Sequence, residues 1–473
     1  MPTRSSSLVF KSSELGILPN TDISDELSYI INTLPNNSTF ILESGNYILT
    51  SKLQYETNYY AGILIKNKIN FSLVLEDVTI TQPYINYNDY SMIVLSNCDT
   101  VNIIGINSTL IGNSDLRTLR GDTSGEWGHG INISTSKNIN INNLTIKNCW
   151  GDCIYIDYGN SIYISNCKLL YGRRWCFTII SGDNVTLKDS ELIYKKYSSI
   201  NYLSGVIDLE QNLPTEVIGD IYIYNNTLTC ENPEYCLCGG GGGDNNIEKI
   251  EFVNNTLNKV VVHFDNANSL IHNNHGMISN KNDPCSFSGN NVVITNNTFF
   301  SPNNFGYIIF SNINSLTFNF NEINNITPDT KVVDGLVFNN IQNLNIKYNT
   351  FNDIGGNPYD LTNGCLNLTE IADAIIRENT FNCKNVRCIL LKTNCKNITI
   401  NDNSILAQKC IEYENSDLLT LSLSNNTLIS SDDSFVEDIN LPCNDKSVNK
   451  FYNFLIKNPI FKYIASKSDK SDT

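Results

Sequence analysis

The sequence is poor in basic residues and has no long apolar run, and both shortages exclude classes of function. Its 473 residues contain 32 Lys and Arg against 48 Asp and Glu, for a formal net charge of −16. Such a charge is unsuited to nucleic acid, whose phosphates need basic partners, and to an anionic membrane surface. No stretch approaches the roughly 18 consecutive apolar residues of a transmembrane helix. We therefore expect neither nucleic-acid binding nor membrane insertion.

Signals for targeting, metal and phosphate binding are also missing. Residues 1–20 form a leader segment without the long apolar core of a signal peptide, which leaves the localisation open. The 15 cysteines show no paired CxxC spacing of the zinc-site kind, so most are expected to be small apolar residues of the core. The Gly-rich stretch CLCGGGGGDNN lacks the Lys-Ser/Thr of a phosphate-binding loop. No cofactor is indicated by these patterns.

What the sequence has in abundance is one repeated phrase, x-apolar-x-apolar-x-[Asn/Cys]-x-apolar, which often closes as Asn-Asn-Thr. About 14 copies occur, most of them 23 to 30 residues apart. Alternation with period two predicts strands, and 23 residues suit one turn of a right-handed parallel β-helix with three short strands. The predicted fold is therefore all-β, a single right-handed parallel β-helix of about 14 coils. The copies begin at Leu73, Val101, Ile139, Ile162, Val185, Ile221, Ile250, Ser269, Val292, Leu316, Leu344, Ala374, Ile398 and Leu421.

Stacked coils place equivalent residues in columns, and identical buried amides in one column satisfy each other's hydrogen bonds. The Asn of the Asn-Asn-Thr ending is expected to form such a ladder. Its predicted members are Asn226, Asn255, Asn297, Asn321, Asn349, Asn379, Asn403 and Asn426.

Amphipathic segments at both ends predict caps for the stack. TDISDELSYIINTLP has the apolar spacing of a helix, with Ser24 or Asp22 as its N-cap, and SVNKFYNFLIKNPIFKYI predicts a C-terminal helical cap. The predicted β-helix domain spans 21–440 with its N-terminal cap. Residues 441–473 hold the C-terminal cap and a disordered tail.

The capping helix, followed by STFILESGNYIL, GHGINIS, GDCIYI and the coil phrases, closely resembles the pectin-lyase-like superfamily of right-handed β-helix proteins over roughly residues 20–430. That superfamily includes pectate and pectin lyases, polygalacturonase-type hydrolases, alginate-active enzymes, phage tailspikes and non-enzymatic surface proteins, so the resemblance implies a fold and no single reaction. GDCIYI is similar to the polygalacturonase phrase in which two Asp precede Cys-Ile, but Gly151 replaces one of them and only Asp152 remains. The GHG motif around His129 precedes this phrase instead of following it, and no Arg-Ile-Lys follows.

The 23-residue register predicts where candidate site residues lie on the outer face of one sheet. One column contains Asn132, Tyr155, Thr178, Asp208 and His263, and its neighbour contains Ser134, Asp157, Ile180, Glu210 and Asp265. The three tryptophans fall at the adjoining edge, where they would stack on sugar rings, fill a corner between coil and loop, or form a protein interface. The candidate substrate-binding residues are Trp127, Trp150, Trp175, Tyr155, Asp152 and His129.

Asp208 and Glu210 are the candidate acid–base pair. Residues i and i+2 of a strand lie roughly 6.5 to 7 Å apart, which is within the range for inverting glycoside hydrolysis, and grouped carboxylates raise each other's pKa. Asp157 is an auxiliary carboxylate, and Arg173 and Arg174 would anchor the glycan. The alternative interpretation is that these acids are a solvated surface.

A lyase would use different groups on the same face. Its base would be Arg173, Arg174 or His263, and carboxylates would hold Ca²⁺ to neutralise a uronate. The candidate Ca²⁺ ligands are Asp152, Asp157, Asp208 and Glu210.

The sequence thus predicts a carbohydrate-active β-helix protein that binds a polysaccharide and is a candidate to cleave it, as a glycoside hydrolase or a polysaccharide lyase. The alternative is a non-enzymatic structural or adhesive surface protein, such as a virion spike, for which a homotrimer is expected.

Overall fold

The computed structural model describes residues 8–56, 59–198, 204–232, 234–240, 247–279, 283–300, 307–324, 335–352, 354, 364–413 and 420–430. The chain divides into two units, residues 1–313 and 314–473. The C-terminal cap and tail predicted for 441–473 lie outside the described residues. In the part that is described, no helix is long and apolar enough to cross a membrane.

Strands dominate the described residues, which contain two α-helices, α1 (Ser24–Thr33) and α2 (Ser114–Leu119), and one 3-10 turn (Ser13–Leu15). Up to the unit boundary the strands are β1 (Leu8–Lys11), β2 (Ser38–Leu42), β3 (Gly45–Ile48), β4 (Leu53–Glu56), β5 (Tyr59–Lys66), β6 (Ile69–Glu76), β7 (Val78–Thr81), β8 (Tyr90–Ser96), β9 (Asp99–Ile111), β10 (His129–Ser134), β11 (Lys137–Lys147), β12 (Ile154–Asp157), β13 (Gly159–Ser165), β14 (Lys168–Leu170), β15 (Trp175–Ile179), β16 (Gly182–Lys188), β17 (Glu191–Lys195), β18 (Gly205–Leu209), β19 (Ile218–Tyr224), β20 (Thr227–Asn232), β21 (Cys236–Gly240), β22 (Ile247–Val253), β23 (Thr256–Phe264), β24 (Ala267–His272), β25 (His275–Ile278), β26 (Cys285–Thr295) and β27 (Thr298–Phe300). The boundary falls within β28 (Ile308–Asn319), after which come β29 (Glu322–Asn324), β30 (Leu336–Lys347), β31 (Thr350–Asn352), β32 (Gly364–Arg377), β33 (Thr380–Leu391), β34 (Asn397–Asn401), β35 (Ser404–Tyr413), β36 (Thr420–Ser424) and β37 (Thr427–Ser430).

The first unit is a parallel β-helix with three strands per coil. β12, β13 and β14 follow one another along the chain, and each pairs in parallel with the strand three places later, β15, β16 and β17. Ile154 pairs with Phe177 and Ile162 with Val185, which is the 23-residue step of the sequence. The β-helix architecture is therefore confirmed. The right-handed sense and the number of 14 coils stay predictions, the former supported by the strong preference of parallel crossovers for that hand.

The second unit has the same construction. Its strands β30, β32, β34 and β36 form one parallel ladder, and β29, β31, β33, β35 and β37 form another. The first part of β32 also pairs with the last part of β33, which begins a third ladder.

The predicted asparagine ladder exists inside both units. In the first, the side chain of Asn226 donates to Oδ1 of Asn255 at 3.1 Å, Asn255 to Asn274 at 3.0 Å, and Asn274 to Asn297 at 2.9 Å. In the second, Asn321, Asn349, Asn379, Asn403 and Asn426 are linked in the same way. Asn274 is a member that the sequence pattern did not supply.

Helix α1 covers part of an open strand edge on β5. Ser28 donates from its hydroxyl to the carbonyl of Gly62 at 3.1 Å and accepts from the N–H of Leu64 at 3.0 Å. Asn32 donates to the carbonyl of Leu64 and accepts from the N–H of Lys66. The helix thereby satisfies backbone groups that would otherwise invite pairing with another chain.

The interior of the coils is apolar, with cysteine among its small residues. All fourteen described cysteines are buried thiols, which confirms the prediction for that part of the chain. Cys153 and Cys176 directly precede the paired residues Ile154 and Phe177 and are fully buried in neighbouring coils.

Candidate functional site

The two predicted columns are confirmed by the strand register. Successive pairs link Asn132, Tyr155, Thr178, Asp208, Gly239 and His263. In the neighbouring column, Ser134 pairs with Asp157. The column continues through Ile180, Glu210 and Asp265, whose backbone N–H groups donate to carbonyls of the preceding coil. We call the surface formed by the outward side chains of Asp157, Asp208 and Glu210 the acidic face.

Trp150 and Arg173 are inside the protein, and their predicted exposure is wrong. Trp150 is fully buried between the guanidinium carbons of Arg117 and Arg173, which lie 4.3 and 3.9 Å from its ring. Its indole N–H donates to the carbonyl of Ser124 at 3.2 Å. Arg173 donates to the carbonyls of Trp150 and Gly125. Neither residue presents a surface to a glycan, and Arg173 is no longer a candidate base or anchor.

This cation–π sandwich has a positioning role, because it fastens the loop 113–128 over the coils. Arg117 also forms an ion pair with Asp122 at 2.9 Å and donates to the carbonyl of Tyr87 and the side chain of Asn88. Arg117 therefore ties the loop to Trp150 and to residues 87 and 88. Trp127 lies near the C-terminal end of this loop.

Trp127 is partly exposed and lies at the centre of an aromatic cluster. Its ring centroid is 5.1 Å from that of Tyr59, 5.3 Å from Tyr155 and 5.3 Å from His129. Tyr55 lies beyond Tyr59 at 6.3 Å. Tyr55 and Tyr59 are half-buried and belong to β4 and β5, which form an antiparallel hairpin. Sequence reasoning missed both tyrosines, although the phrase YETNYY has the composition of a turn between two strands.

Tyr155, a member of this cluster, and Trp175 are almost inaccessible. Trp175 is 8% exposed and Tyr155 is 4% exposed. The ring of Tyr155 stacks on that of His129 at 4.4 Å with an interplanar angle of 14°. Their expected role as sugar platforms is therefore wrong, since stacking on a sugar needs an open ring face.

His129 and Asp152 form a fully buried polar pair, so the expectation that they touch substrate is wrong as well. The N–H of Asp152 donates to Nδ1 of His129 at 3.1 Å, which places the histidine proton on Nε2. Burial, with the charge of Arg174, holds the pKa of His129 well below its usual value, so the ring is neutral. Burial raises the pKa of Asp152 to about 6, although Arg174 and the N–H of Trp175 favour its charged form.

The missing second aspartate of the polygalacturonase phrase has a steric explanation. A Cβ atom at Gly151 would lie 2.8 Å from the carbonyl oxygen of Glu126 and 2.8 Å from Nδ1 of His129. No side chain fits there without moving the loop that carries Trp127.

Asp208 and Glu210 have opposite environments. Asp208 is 7% exposed, and within the described ranges its Oδ2 atom has no hydrogen-bond partner. Burial raises the pKa of Asp208 well above its usual value, and the charges of Glu210 and Asp152 add to the shift while Arg174 opposes it. Glu210 is exposed to solvent. The pair therefore combines a neutral carboxylic acid with an accessible carboxylate.

Asp157 and Arg174 flank this pair. Burial raises the pKa of Asp157 to about 6, with further contributions from the charges of Glu216 and Glu56. Arg174 is partly buried, and its Nη1 lies 3.7 Å from a carboxylate oxygen of Glu126. Its charge acts on Asp152, His129 and Asp208, so Arg174 is the cation at the base of the acidic face.

His263 ends the first column. It is half-buried, and its Nδ1 lies 3.2 Å from the hydroxyl of Ser286. Burial lowers the pKa of His263, while Asp265 and Asp283 oppose that effect.

The predicted Ca²⁺ site gains no support from these positions. Asp152 is fully buried with one oxygen bonded to the N–H of Trp175. Within the described ranges, no three His, Cys, Asp or Glu residues are grouped so that they could hold a metal ion. No chemical step is therefore assigned to calcium.

No protein-family model matches the chain, and no curated protein matches it. Three similar solved structures are a tailspike mutant of Escherichia coli bacteriophage HK620 in complex with a pentasaccharide, the A-module of mannuronan C-5 epimerase AlgE6 from Azotobacter vinelandii, and PfbA, a surface adhesin of Streptococcus pneumoniae. The tailspike is 12% identical with a TM-score of 0.48, covering 86% of this chain and 75% of its own. The epimerase module is 11% identical with a TM-score of 0.46, and the match covers 88% of this chain and 99% of the module. The adhesin is 13% identical with a TM-score of 0.35, and the match covers 89% of each chain. At these values the likeness transfers no activity to this chain.

Proposed function

We propose that the protein binds a neutral polysaccharide along the acidic face and hydrolyses it, with Asp208 as general acid and Glu210 as general base. The observation that carries this proposal is the presence, two residues apart at the end of β18, of a buried carboxyl whose pKa is raised and an exposed carboxyl group. Environments that push two neighbouring carboxyl groups apart in pKa are the usual basis of acid–base assignments in glycosidases.

The chemistry follows from the protonation states. Asp208 donates its proton to the glycosidic oxygen as the bond between that oxygen and the anomeric carbon breaks. Glu210 removes a proton from a water molecule whose oxygen bonds to the same carbon from the opposite side. A separation of roughly 6.5 to 7 Å leaves space for this water and predicts inversion of the anomeric configuration.

Asp157 and Arg174 support the pair without taking part in bond making. The negative charge of Asp157 is suited to stabilise the positive charge that develops on the sugar ring in the transition state. Arg174 limits the rise in the pKa of Asp208, which keeps the acid strong enough to donate its proton.

Trp127, with Tyr55 and Tyr59, supplies the apolar surface for sugar rings. These three side chains are partly exposed, in contrast to Trp150 and Trp175. The column places the coil of Trp127 three coil steps before that of Asp208, or about 14 Å at about 4.8 Å a step, which a short oligosaccharide would span.

The charges of the face favour hydrolysis over elimination. A polysaccharide lyase must neutralise the carboxylate of a uronate, but the charges that act on Asp208 include those of the acidic Glu210 and Asp152 against the single cation Arg174. Like charges in a partly buried site repel, so a neutral glycan is the better substrate class.

The low accessibility of Asp208 favours one alternative, a glycan-binding adhesin that does not cleave. A homotrimeric spike stays a prediction beside it.

One experiment separates these functions. The purified full chain is applied to a glycan array, and glycans that bind are then tested for new reducing ends and for the ultraviolet absorbance of unsaturated products. New reducing ends without that absorbance support hydrolysis. Unsaturated products would show a lyase, binding without products an adhesin, and no binding would contradict the proposal.

A further inference from the structure

In the column of outward residues, the position between Asp208 and His263 is Gly239, which has no side chain. Gly239 pairs with both residues, and its φ of +137° lies where other residues are strained. A Cβ atom at this position would lie 1.8 Å from the carbonyl oxygen of His263. No larger residue fits, so no side chain of this column stands between Asp208 and His263, which are two coil steps apart.

The imidazole of His263 is held by a hydrogen-bond chain. Its Nδ1 lies 3.2 Å from the hydroxyl of Ser286, which donates to Oδ2 of Asp265 at 2.8 Å. The other oxygen of Asp265 accepts from the hydroxyl of Ser288 at 3.3 Å, and Ser288 accepts from the N–H of Asn266 at 2.8 Å. Every member of the chain has a defined partner.

This chain of hydrogen bonds determines which nitrogen of His263 carries the proton. A serine hydroxyl has one proton, and Ser286 gives it to the carboxylate of Asp265. Ser286 can then only accept from His263, so the imidazole proton is on Nδ1 and Nε2 has a lone pair. This is the opposite tautomer to that of His129.

Nε2 of His263 is buried and has no hydrogen-bond partner among the residues that the structure describes. The charged groups that act on the ring are Asp265 and Asp283, and burial outweighs both, so the ring is neutral at neutral pH. A buried acceptor without a donor is unfavourable, and a hydroxyl donor from a ligand would relieve that state.

We propose that Nε2 of His263 accepts a hydrogen bond from a sugar hydroxyl in a subsite over Gly239, next to Asp208, and that Ser286 and Asp265 position the ring for this contact. The inference rests on the proposed function in one respect, the neutral glycan as ligand. It adds a subsite and makes Ser286 and Asp265 positioning residues. A site built to accept from a hydroxyl discriminates strongly against glycans that lack it.

The first test needs no glycan. Long-range proton–nitrogen NMR correlation on the ¹⁵N-histidine-labelled full chain reports the tautomer of each of the four histidines. His263→Gln assigns the signal. The expected result at pH 7 is a protonated Nδ1 and a lone-pair Nε2 for His263, and a mixed tautomer in Ser286→Ala with His272 unchanged. A protonated Nε2 in the wild type would overturn the hydrogen-bond chain.

The second test uses cellohexaose, xylohexaose and mannohexaose as neutral probes. A probe that occupies the subsite shifts the Nε2 resonance. His263→Ala then weakens its affinity by about tenfold, the effect of one lost hydrogen bond, and Ser286→Ala weakens it less. If a probe binds without moving the Nε2 signal, or if no probe binds, the subsite is overturned.

Failure of the two proposals is distinguishable. An Nε2 shift with no cleavage by the wild type leaves the subsite in place and contradicts hydrolysis. Cleavage by the wild type without a shift of the Nε2 resonance supports hydrolysis and contradicts the subsite. In a cleaving wild type, Ser286→Ala is expected to raise KM while kcat changes less than about twofold, because the residue orients a binding group and not the acid–base pair.

Discussion

Asp208 and Glu210 lie two residues apart at the end of β18, yet Asp208 is 7% exposed and Glu210, directly after the strand, is open to solvent. The N–H of Glu210 still bonds to the carbonyl of Ile179 as in the ladder, so the difference in exposure comes from what surrounds each side chain. Asp208 is buried, and the charges of Asp152 and Arg174 act on it. The end of β18 therefore presents one buried carboxyl group whose pKa is raised and, two residues on, one exposed carboxyl group.

Removing either carboxyl should abolish most of any hydrolysis. Asp208→Asn and Glu210→Gln are each expected to lower kcat by about 10²- to 10⁴-fold, the usual contribution of a positioned acid or base. Glycan affinity should change little. Reducing-end assays at saturating glycan measure the effect, and Glu248→Gln, an exposed acid on another sheet, is the matched control. Full activity in both variants would show that this pair is not the catalytic one.

The pKa of Asp152 makes stability depend on pH with a defined sign. The pKa of its carboxyl rises from 3.8 to about 6 on folding, so the neutral form is favoured in the folded protein. The Asp152 carboxyl contributes about 3 kcal/mol to the free energy of unfolding below about pH 4, relative to its ionised form, and this contribution is lost as the pH rises to about 6. Asp152→Asn cannot ionise and keeps the acceptor for the N–H of Trp175. Relative to the wild type, its free energy of unfolding should increase by about that amount between pH 4 and pH 7.

Denaturant titrations at both pH values measure this difference. The contrasting control is Asp99→Asn, because hydrogen bonds from Asn138 and Thr100 lower the pKa of Asp99. That variant should lose stability relative to the wild type as the pH rises through the acidic range. Parallel pH profiles for Asp152→Asn and the wild type would contradict the assignment.

The tryptophans should separate into a structural and a binding residue. Trp150→Leu removes both cation–π contacts and the hydrogen bond to Ser124, and is expected to reduce the free energy of unfolding by about 3 to 5 kcal/mol. Proteolysis within the loop 113–128 should become faster. Trp127→Leu should cost less than about 1.5 kcal/mol because the side chain is partly exposed, and should weaken glycan binding. Equal effects of the two variants on stability would argue against this division.

The inner amide ladder should be far more sensitive than the outer asparagines beside it. Asn274→Ala removes the acceptor of the Asn255 backbone N–H, one of the two hydrogen bonds of the Asn255 side-chain amide, and the donor to the carbonyl of Phe252, which costs about 2 to 4 kcal/mol. Asn273 is partly exposed with a φ of +54°, so Asn273→Gly keeps the backbone, loses only the outer hydrogen bond to Asn254, and should change stability by less than about 1 kcal/mol. Thermal unfolding of both variants decides the point, and a similar loss in each would contradict the role of the ladder.

The sequence predicted well which residues align in columns from coil to coil, and predicted poorly which side chains are accessible to solvent. The 23-residue step placed Tyr155, Thr178 and Asp208 correctly, because strand pairing in a coil repeats the same register. Parity along a strand shows which side chains leave the interior. It does not show whether a loop then covers them, and the loop 113–128 covers Trp150.

Two further misses have local causes. Tyr55 belongs to a hairpin that departs from the coil pattern, so no repeat phrase pointed to it. Asn274 was absent from the predicted ladder because its copy, SLIHNNHG, begins with Ser269 where an apolar residue is usual. The hydrogen bonds of Asn274 show that the buried amide marks a coil better than the apolar alternation does.

The amide ladder advances by one step per coil whatever the length of the coil. Asn226 and Asn255 are 29 residues apart, Asn255 and Asn274 are 19, and Asn274 and Asn297 are 23, yet their amide hydrogen bonds measure 3.1, 3.0 and 2.9 Å. Insertions and deletions between two asparagines therefore leave the spacing of the scaffold unchanged. Surface loops of such a protein are free to diverge in length under selection, and new recognition properties can be acquired without rebuilding the framework that displays them.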